Sequence, residues 1–323
     1  MSSFIKVKIV SKILNFIYTM ILFTADDFIS ILFPNVLGAT LISTTGRPFR
    51  LGENACHSKM SLRIPRAFLW VWSNLLLFNI SNQRTSDDVQ EDRINKPWRP
   101  IASGRLSMQQ ATMIYHALLP IVLTMTLLVG GFMPCLILQS LTYCYNDLNG
   151  SNHWTLRGLI NAGGYLSFIS GAVEASLGTQ HLELNRESLR WLSCVAFAIT
   201  TTIHSMDLYD QDGDRKRGRL TLPLAFGAKY TRIWIGTVVI VVSVGAPHIL
   251  DSSYLMAIPT LVMGAVVAEE SLMKMNQSKI ESKRTFRLWC IWITSLYILP
   301  SWSYFSPFQV TSPMVAGDCG RSR

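Results

Sequence analysis

The feature that most limits what this chain can fold into is a succession of apolar runs, each approaching the roughly 20 residues a helix needs to cross about 30 Å of hydrocarbon. They lie near 26–45, 64–81, 107–130, 133–147, 158–177, 189–207, 222–248, 252–270 and 286–304, separated by short polar loops. Within lipid every backbone polar group needs an internal partner, so helices are the default and an open sheet is excluded. Composition agrees: 49% of the 323 residues are hydrophobic and only 15% charged, with a mean hydropathy of +0.29. The expectation is an all-α polytopic membrane protein of about nine transmembrane helices forming one domain over 1–323, with 306–323 a flexible tail. The segment before the first run carries Lys6, Lys8 and Lys12. It either lies along the membrane surface as an interfacial helix within 1–24 or fuses with the first span.

The formal charge of +9 does not signal nucleic acid, because the basic residues sit in loops between apolar runs instead of forming one basic face. Six cysteines without CxxC spacing suggest neither zinc nor a disulfide framework. No obligate protein partner is evident. Loops after the second, fourth, sixth and eighth spans collect roughly fifteen Lys and Arg, which makes that face cytoplasmic. Arg47, Arg50, Lys59, Arg63 and Arg66 on the opposite side count against a clean assignment. Trp70, Trp72, Trp154, Trp191, Trp302 and Tyr304 at span ends read as an aromatic belt.

Two acidic segments, about 120 residues apart, fall on that same basic face. The second runs Asp207-Leu208-Tyr209-Asp210-Gln211-Asp212-Gly213-Asp214. On a helix, Asp207, Asp210 and Asp214 at i, i+3 and i+7 share one face. Like charges so placed need a compensating cation, and oxygen ligands suit Mg²⁺, completed by phosphate oxygens and water. The competing reading is a solvated helix end paired by Arg215 and Lys216. The first segment places Asp88 and Asp92 at i, i+4 with Glu91 beside them, then Asn95, Lys96, Pro97, Arg99, Pro100 and Arg105. The prolines stiffen the loop from which the cations emerge. Acids followed by fixed cations suit a metal and diphosphate site, Asn82, Asn95, Lys96, Arg99, Arg105, Arg215 and Lys216 being the candidate diphosphate contacts.

The string Glu91-Asp92-Arg93-Ile94-Asn95-Lys96-Pro97-Trp98-Arg99-Pro100 through Ser103-Gly104-Arg105, together with Asp207 to Arg215 through Gly218, Thr221, Leu222 and Pro223, resembles the UbiA superfamily of intramembrane prenyltransferases. The resemblance implies a nine-helix fold around a central cavity, with both acidic motifs capping it and binding Mg²⁺ and an isoprenyl diphosphate. The first motif departs from the family pattern. Where that pattern opens with Asn-Asp, this chain has Arg84-Thr85, and only Asp88 and Asp92 remain. The departure, together with Phe23-Thr24-Ala25-Asp26-Asp27-Phe28, Tyr145-Asn146-Asp147-Leu148 and Ser151-Asn152-His153-Trp154 with Arg157, resembles the fungal branch that includes UbiA-type terpene cyclases. The implied activity is Mg²⁺-dependent ionisation of farnesyl or geranylgeranyl diphosphate and intramolecular cyclisation to a terpene in the endoplasmic reticulum membrane. Transfer of the prenyl group to an aromatic acceptor is the alternative.

A carbocation calls for aromatic faces, so Phe78, Tyr143, Tyr145, Trp154, Tyr165, Phe168 and Tyr209 are candidate cavity residues, although aromatics in spans more often pack or anchor. Asp147 with Asn146 is either a site acid at the rim or a helix-end charge. His204, one turn before the acidic run, is a cavity base, a pyrophosphate donor or a hydrogen-bonded structural histidine.

Overall fold

The computed structural model describes residues 2–51 and 60–303. The expected tail at 306–323 lies outside the described residues, as do Lys59 and Tyr304. Among the described residues there are helices and no strands, a single bridge joining His153 to Leu220. Thirteen α-helices occur: α1 Ser2–Thr24, α2 Phe33–Thr45, α3 Met60–Ser81, α4 Ser86–Asn95, α5 Met108–Val129, α6 Phe132–Asn146, α7 Trp154–Leu177, α8 Arg186–Thr202, α9 Asp207–Arg217, α10 Leu222–Phe226, α11 Ala228–Ile249, α12 Ile258–Met273 and α13 Lys279–Ser303.

Among the described residues, three helical stretches are long and apolar enough to cross a bilayer by themselves: Val7–Thr45, α5 and α11. The first joins the ambiguous N-terminal segment to the first expected span as one 39-residue run. At 1.5 Å per residue that is roughly 58 Å, nearly twice the hydrocarbon thickness. The run is not one uniform helix: a 3-10 turn at Ala25–Asp27 and a π turn at Phe28–Leu32 separate α1 from α2. The expected seventh span is also interrupted, at Gly227, whose φ of 90° closes the short α10 before α11 begins. The sixth ends as a 3-10 turn at Ile203–Ser205, so Asp207 opens a separate helix.

Helix α7 lies at the centre, packed against α2, α3, α6 and α8. Lipid supplies no hydrophobic force between helices, so close backbone approach and interhelical hydrogen bonds have to hold them. Gly171 is one such approach: a Cβ there would sit 2.1 Å from the Trp70 ring. Four buried indoles each reach a neighbouring element. Trp70 donates to Gly131 O (3.2 Å), Trp191 to Leu296 O (3.0 Å), Trp289 to Thr202 Oγ1 (2.8 Å) and Trp292 to Ser243 Oγ (2.9 Å). Each bond contributes about 1 kcal/mol. Trp70 and Trp191, expected in an interfacial belt, are therefore core staples, because their N–H groups find partners inside the bundle. Trp302 is 45% exposed.

The two motif helices meet at the cytoplasm-assigned end. α9 lies against α4, and Gly213 makes the contact possible: a Cβ at that position would lie 2.2 Å from Asn95 Nδ2 and 2.9 Å from Glu91 Cγ. Gly218, at φ 77°, ends α9 in the left-handed conformation and turns the chain back, so that Arg217 and Arg219 both reach α4.

Candidate functional site

Thr85 caps α4. Its hydroxyl accepts the Asp88 N–H, while the Asp88 carboxylate answers the Thr85 N–H at 3.2 Å and the Thr85 hydroxyl at 2.5 Å. This is a reciprocal capping box with Asp in the acid position. The other Asp88 oxygen meets Arg217. Asp92 accepts from Arg99 Nη1 at 2.9 and 3.1 Å. Glu91 meets Arg219 at 2.8 Å and Arg217 at 3.3 Å. Burial would raise the Glu91 pKa, but Arg219, Lys96 and Arg217 hold it below the usual carboxylate range. At Asp92 burial outweighs Arg99 and Lys96, and the carboxyl is pushed up to about 6. Burial also works against charged Lys96, yet Asp210 and Asp92 keep its pKa above the ordinary lysine value.

On α9, Asp207, Asp210 and Asp214 are all buried, sharing the inner face as their spacing predicts. Asp212 points outward and pairs with Arg215 at 3.6 Å. Asp207 is fully answered, by Arg157 at 2.9 Å and by His204 Nδ1 at 3.1 Å. Asp210 Oδ2 lies 3.3 Å from Lys96, and Asp214 Oδ1 3.2 Å from Arg219. Their second oxygens, Asp210 Oδ1 and Asp214 Oδ2, are buried without a hydrogen-bond partner. Burial and the nearby Asp207 and Glu91 raise the Asp214 pKa against the pull of Arg157 and Arg219.

Those two orphaned oxygens bear on whether the residues suit Mg²⁺. Among the described residues no three His, Cys, Asp or Glu side chains converge as a ready cage. Mg²⁺ binds through one or two carboxylates with phosphate oxygens and water filling the octahedron. Free lone pairs on Asp210 and Asp214 fit an ion that arrives with a diphosphate.

A cavity of about 440 Å³ opens beside Asp210. Its mouth carries Asp26, Asp27, Asn82, Lys96, Arg99, Lys283 and Arg287, with the half-exposed Phe28, and its aromatic walls are Phe78, Tyr145, Tyr165, Tyr209 and Phe286. A smaller recess of about 40 Å³ carries the same walls inward to Leu138, Leu141 and Phe168. Tyr145 is held in place from behind: Arg157 Nη1 donates to its hydroxyl at 2.6 Å while the same guanidinium pairs with Asp207. Of the residues expected from sequence, Asn82, Lys96, Arg99, Asp210, Phe78, Tyr145 and Tyr209 line this cavity, and Tyr165 with them.

Others are placed elsewhere. Asn95 bridges helices, donating to Asp210 O at 2.9 Å and lying 3.2 Å from Lys279 Nζ. Arg105 stacks over Tyr18 of α1 and donates to Asn15, on the outer side. Arg215 and Lys216 are exposed on the outer face of α9. Asn146 donates to Ser81 Oγ at 3.1 Å, and Asp147 pairs with Arg84 at 2.5 Å. Tyr143 is 55% exposed. Trp154 and His204 line a separate lateral groove between α7, α8 and α11, so His204 does not face the aromatic cavity; the hydrogen-bonded reading of this histidine fits its bond to Asp207.

Residues given no role by the sequence reading complete the site. Asp26 accepts from Trp98 Nε1 (3.2 Å) and Arg99 Nε (3.4 Å), tying the Pro97 to Pro100 loop to the break in the first span. Its signal was an acid pair inside an apolar run, at the 3-10 and π turns that often mark functional sites. Arg157, quoted above only as part of the resemblance, pairs with Asp207, while Arg217 and Arg219 reach across to Asp88 and Glu91 of α4.

The chain belongs to the UbiA prenyltransferase family, whose family model matches residues 58–293. It is similar to the fumagillin beta-trans-bergamotene synthase of Aspergillus fumigatus, 26% identical over 232 residues, covering 72% of this chain and 74% of that protein. It is also similar to a polyprenyl transferase of Hericium erinaceus, 33% identical over 173 residues, 51% of this chain and 56% of that one. Alignments with the curated synthases span 53% to 74% of their length. A solved UbiA homolog from Archaeoglobus fulgidus, bound to GPP and Mg²⁺, shares the fold with a TM-score of 0.59 at 14% identity, covering 88% of this chain and 99% of its own.

Proposed function

We propose that this UbiA-family enzyme ionises a farnesyl or geranylgeranyl diphosphate and cyclises the prenyl chain to a terpene. The observation that carries the reading is the cavity itself: a charged mouth lined by Lys96, Arg99 and Asp210, whose buried Oδ1 has no partner, beside walls of Phe78, Tyr145, Tyr165, Tyr209 and Phe286. At about 440 Å³ it sits near the lower end of the roughly 300–1,000 Å³ of small-molecule sites, which suits one prenyl diphosphate folded on itself.

Asp210 and Asp214, with Asp92 behind Arg99, would hold Mg²⁺, which when bound supplies Lewis-acid stabilisation of the leaving diphosphate. Lys96 and Arg99 neutralise the remaining phosphate oxygens. The allylic C–O bond breaks with its electron pair on the diphosphate, and the aromatic walls shelter the cation while excluding water. A distal double bond of the same chain then supplies the electrons for the new C–C bond. The closing proton, lost from a carbon next to the final cation, passes to the released pyrophosphate. The resemblance of the Arg84-Thr85 departure to the cyclase branch and the likeness to the bergamotene synthase support cyclisation. The likeness to the polyprenyl transferase is the observation for transfer to an aromatic acceptor. The expected location is the endoplasmic reticulum membrane with the mouth facing the cytoplasm.

Membranes containing the protein, given farnesyl or geranylgeranyl diphosphate and Mg²⁺ without acceptor, are expected to yield cyclic hydrocarbons by gas chromatography and mass spectrometry. Product that forms only when an aromatic acceptor is added would overturn cyclisation in favour of transfer.

A further inference from the structure

The cations at this end of the molecule divide into two groups. Arg99 is answered by Asp92 and Asp26, Lys96 by Asp210, Arg157 by Asp207, Arg217 by Asp88 and Glu91, and Arg219 by Glu91 and Asp214. Lys283 and Arg287 are different. They stand one turn apart on α13, so their side chains share a face, and both line the mouth of the aromatic cavity. Lys283 lies over the Trp98 ring at 4.9 Å, and neither residue has a carboxylate partner among the described residues. Across the same mouth, the buried Asp210 Oδ1 lacks any partner. Two cations without an ion-pair partner therefore share the mouth with Asp26, Asp27 and the unpaired oxygen of Asp210. A dianionic phosphate with its metal complements both sides, the cations taking phosphate oxygens and the carboxylate taking the metal.

We propose that Lys283 and Arg287 of the last helix form a phosphate-binding pair for the terminal phosphate of the substrate diphosphate, outside both acidic motifs. The inference rests on the reading that a prenyl diphosphate occupies this cavity. The pair closes the mouth from α13 while Lys96 and Arg99 hold the phosphate nearer the chain from the α4 side. Two lysine or arginine side chains at the end of a span also suit a lipid headgroup, and the shared chemistry is a phosphate monoanion or dianion. Their place on the wall of the Asp210 cavity favours the diphosphate.

The full-length protein in phosphatidylcholine nanodiscs is titrated with inorganic pyrophosphate, with farnesyl and geranylgeranyl diphosphate, all with Mg²⁺, and with farnesol. The double variant Lys283→Gln, Arg287→Gln is expected to bind pyrophosphate and the prenyl diphosphates about 10- to 100-fold more weakly, as loss of charge-assisted hydrogen bonds requires. Farnesol affinity stays unchanged, and the exchange Lys283→Arg with Arg287→Lys restores binding to within about threefold. Unaltered pyrophosphate affinity in the double variant overturns the proposal. So does a loss seen only as weaker binding of phosphatidylserine in discs that contain it. Wild type that binds pyrophosphate through this pair, yet neither prenyl diphosphate, would instead overturn the functional reading and leave the phosphate site standing. Should the double variant fail to fold, Arg287→Gln at the exposed end carries the same test.

Discussion

Helices α4 and α9 carry the same kind of residue for the same expected task, yet their carboxylates are in different states. On α4 the oxygens are answered from within the protein: Asp88 by Thr85 and Arg217, Glu91 by Arg217 and Arg219, Asp92 by Arg99. On α9, Asp207 is likewise satisfied, but Asp210 and Asp214 each keep one buried oxygen without a partner. A buried polar atom left unpaired costs about 1–3 kcal/mol, so a cation bound at these two oxygens would offset that cost. The difference teaches that counting acids in a motif overstates its capacity for metal. What matters is how many lone pairs the protein leaves over.

The largest expected effect breaks the comparison on the α9 side. Asp210→Asn and Asp214→Asn are expected to cut turnover of prenyl diphosphate by about 10³-fold or more, close to 4 kcal/mol of barrier, with insertion retained. Near-normal rates in either variant would remove α9 from the metal site. Asp92→Asn comes next and differs in kind. It strands the buried Arg99, so about 3–5 kcal/mol of stability should be lost, read as a lower midpoint of thermal unfolding in detergent. An unchanged midpoint would mean that Asp26 alone can hold Arg99.

Titration sharpens the same contrast. Because Asp92 is pushed up to about 6 by burial, it takes on a proton as pH falls from 7 to 5, and a protonated carboxyl competes poorly for Mg²⁺. Burial likewise pushes Asp214 up to about 7, so affinity for Mg²⁺ with prenyl diphosphate is expected to drop roughly tenfold over that range, and Asp92→Asn should leave only the part of the fall that belongs to Asp214. A wild-type profile that stays flat would show that Asp92 takes no part in binding. The smallest effect is Thr85→Ala, expected to cost about 1 kcal/mol of stability through the lost cap while leaving turnover almost untouched. A collapse of activity there would show that the cap also sets the position of Asp92.

Much of this was open to reading in the sequence, for identifiable reasons. Long apolar runs have one solution in lipid, and the i, i+3, i+7 spacing puts Asp207, Asp210 and Asp214 on one face of a helix, which the structure buries. Asp88 was legible in two ways at once. Thr85-x-x-Asp88 is a capping pattern as well as part of an acidic motif, and the reading as ligand obscured the reading as cap. Lys283 counted only among the basic loop residues and Arg287, just inside the run near 286–304, drew no reading, because only tertiary packing brings α13 to the wall beside Asp210. The same holds for Arg157, which props Tyr145 through a contact that no local spacing encodes.

One further contact bears on how such a chain can change over generations. Arg84 stands where the family pattern has its opening Asn, and it is bound to Asp147 at 2.5 Å and lies over the Tyr115 ring. Asn in its place would leave Asp147 without its cation, so the family-pattern residue is not a neutral substitution in this chain. Position 85 is constrained too, since the Thr85 hydroxyl donates to the Asp88 carboxylate at 2.5 Å and Asp there would set two carboxylates against each other. Neither residue of the opening pair can therefore be restored alone: Arg84→Asn waits on a change at Asp147, and Thr85→Asp on a cation held between it and Asp88.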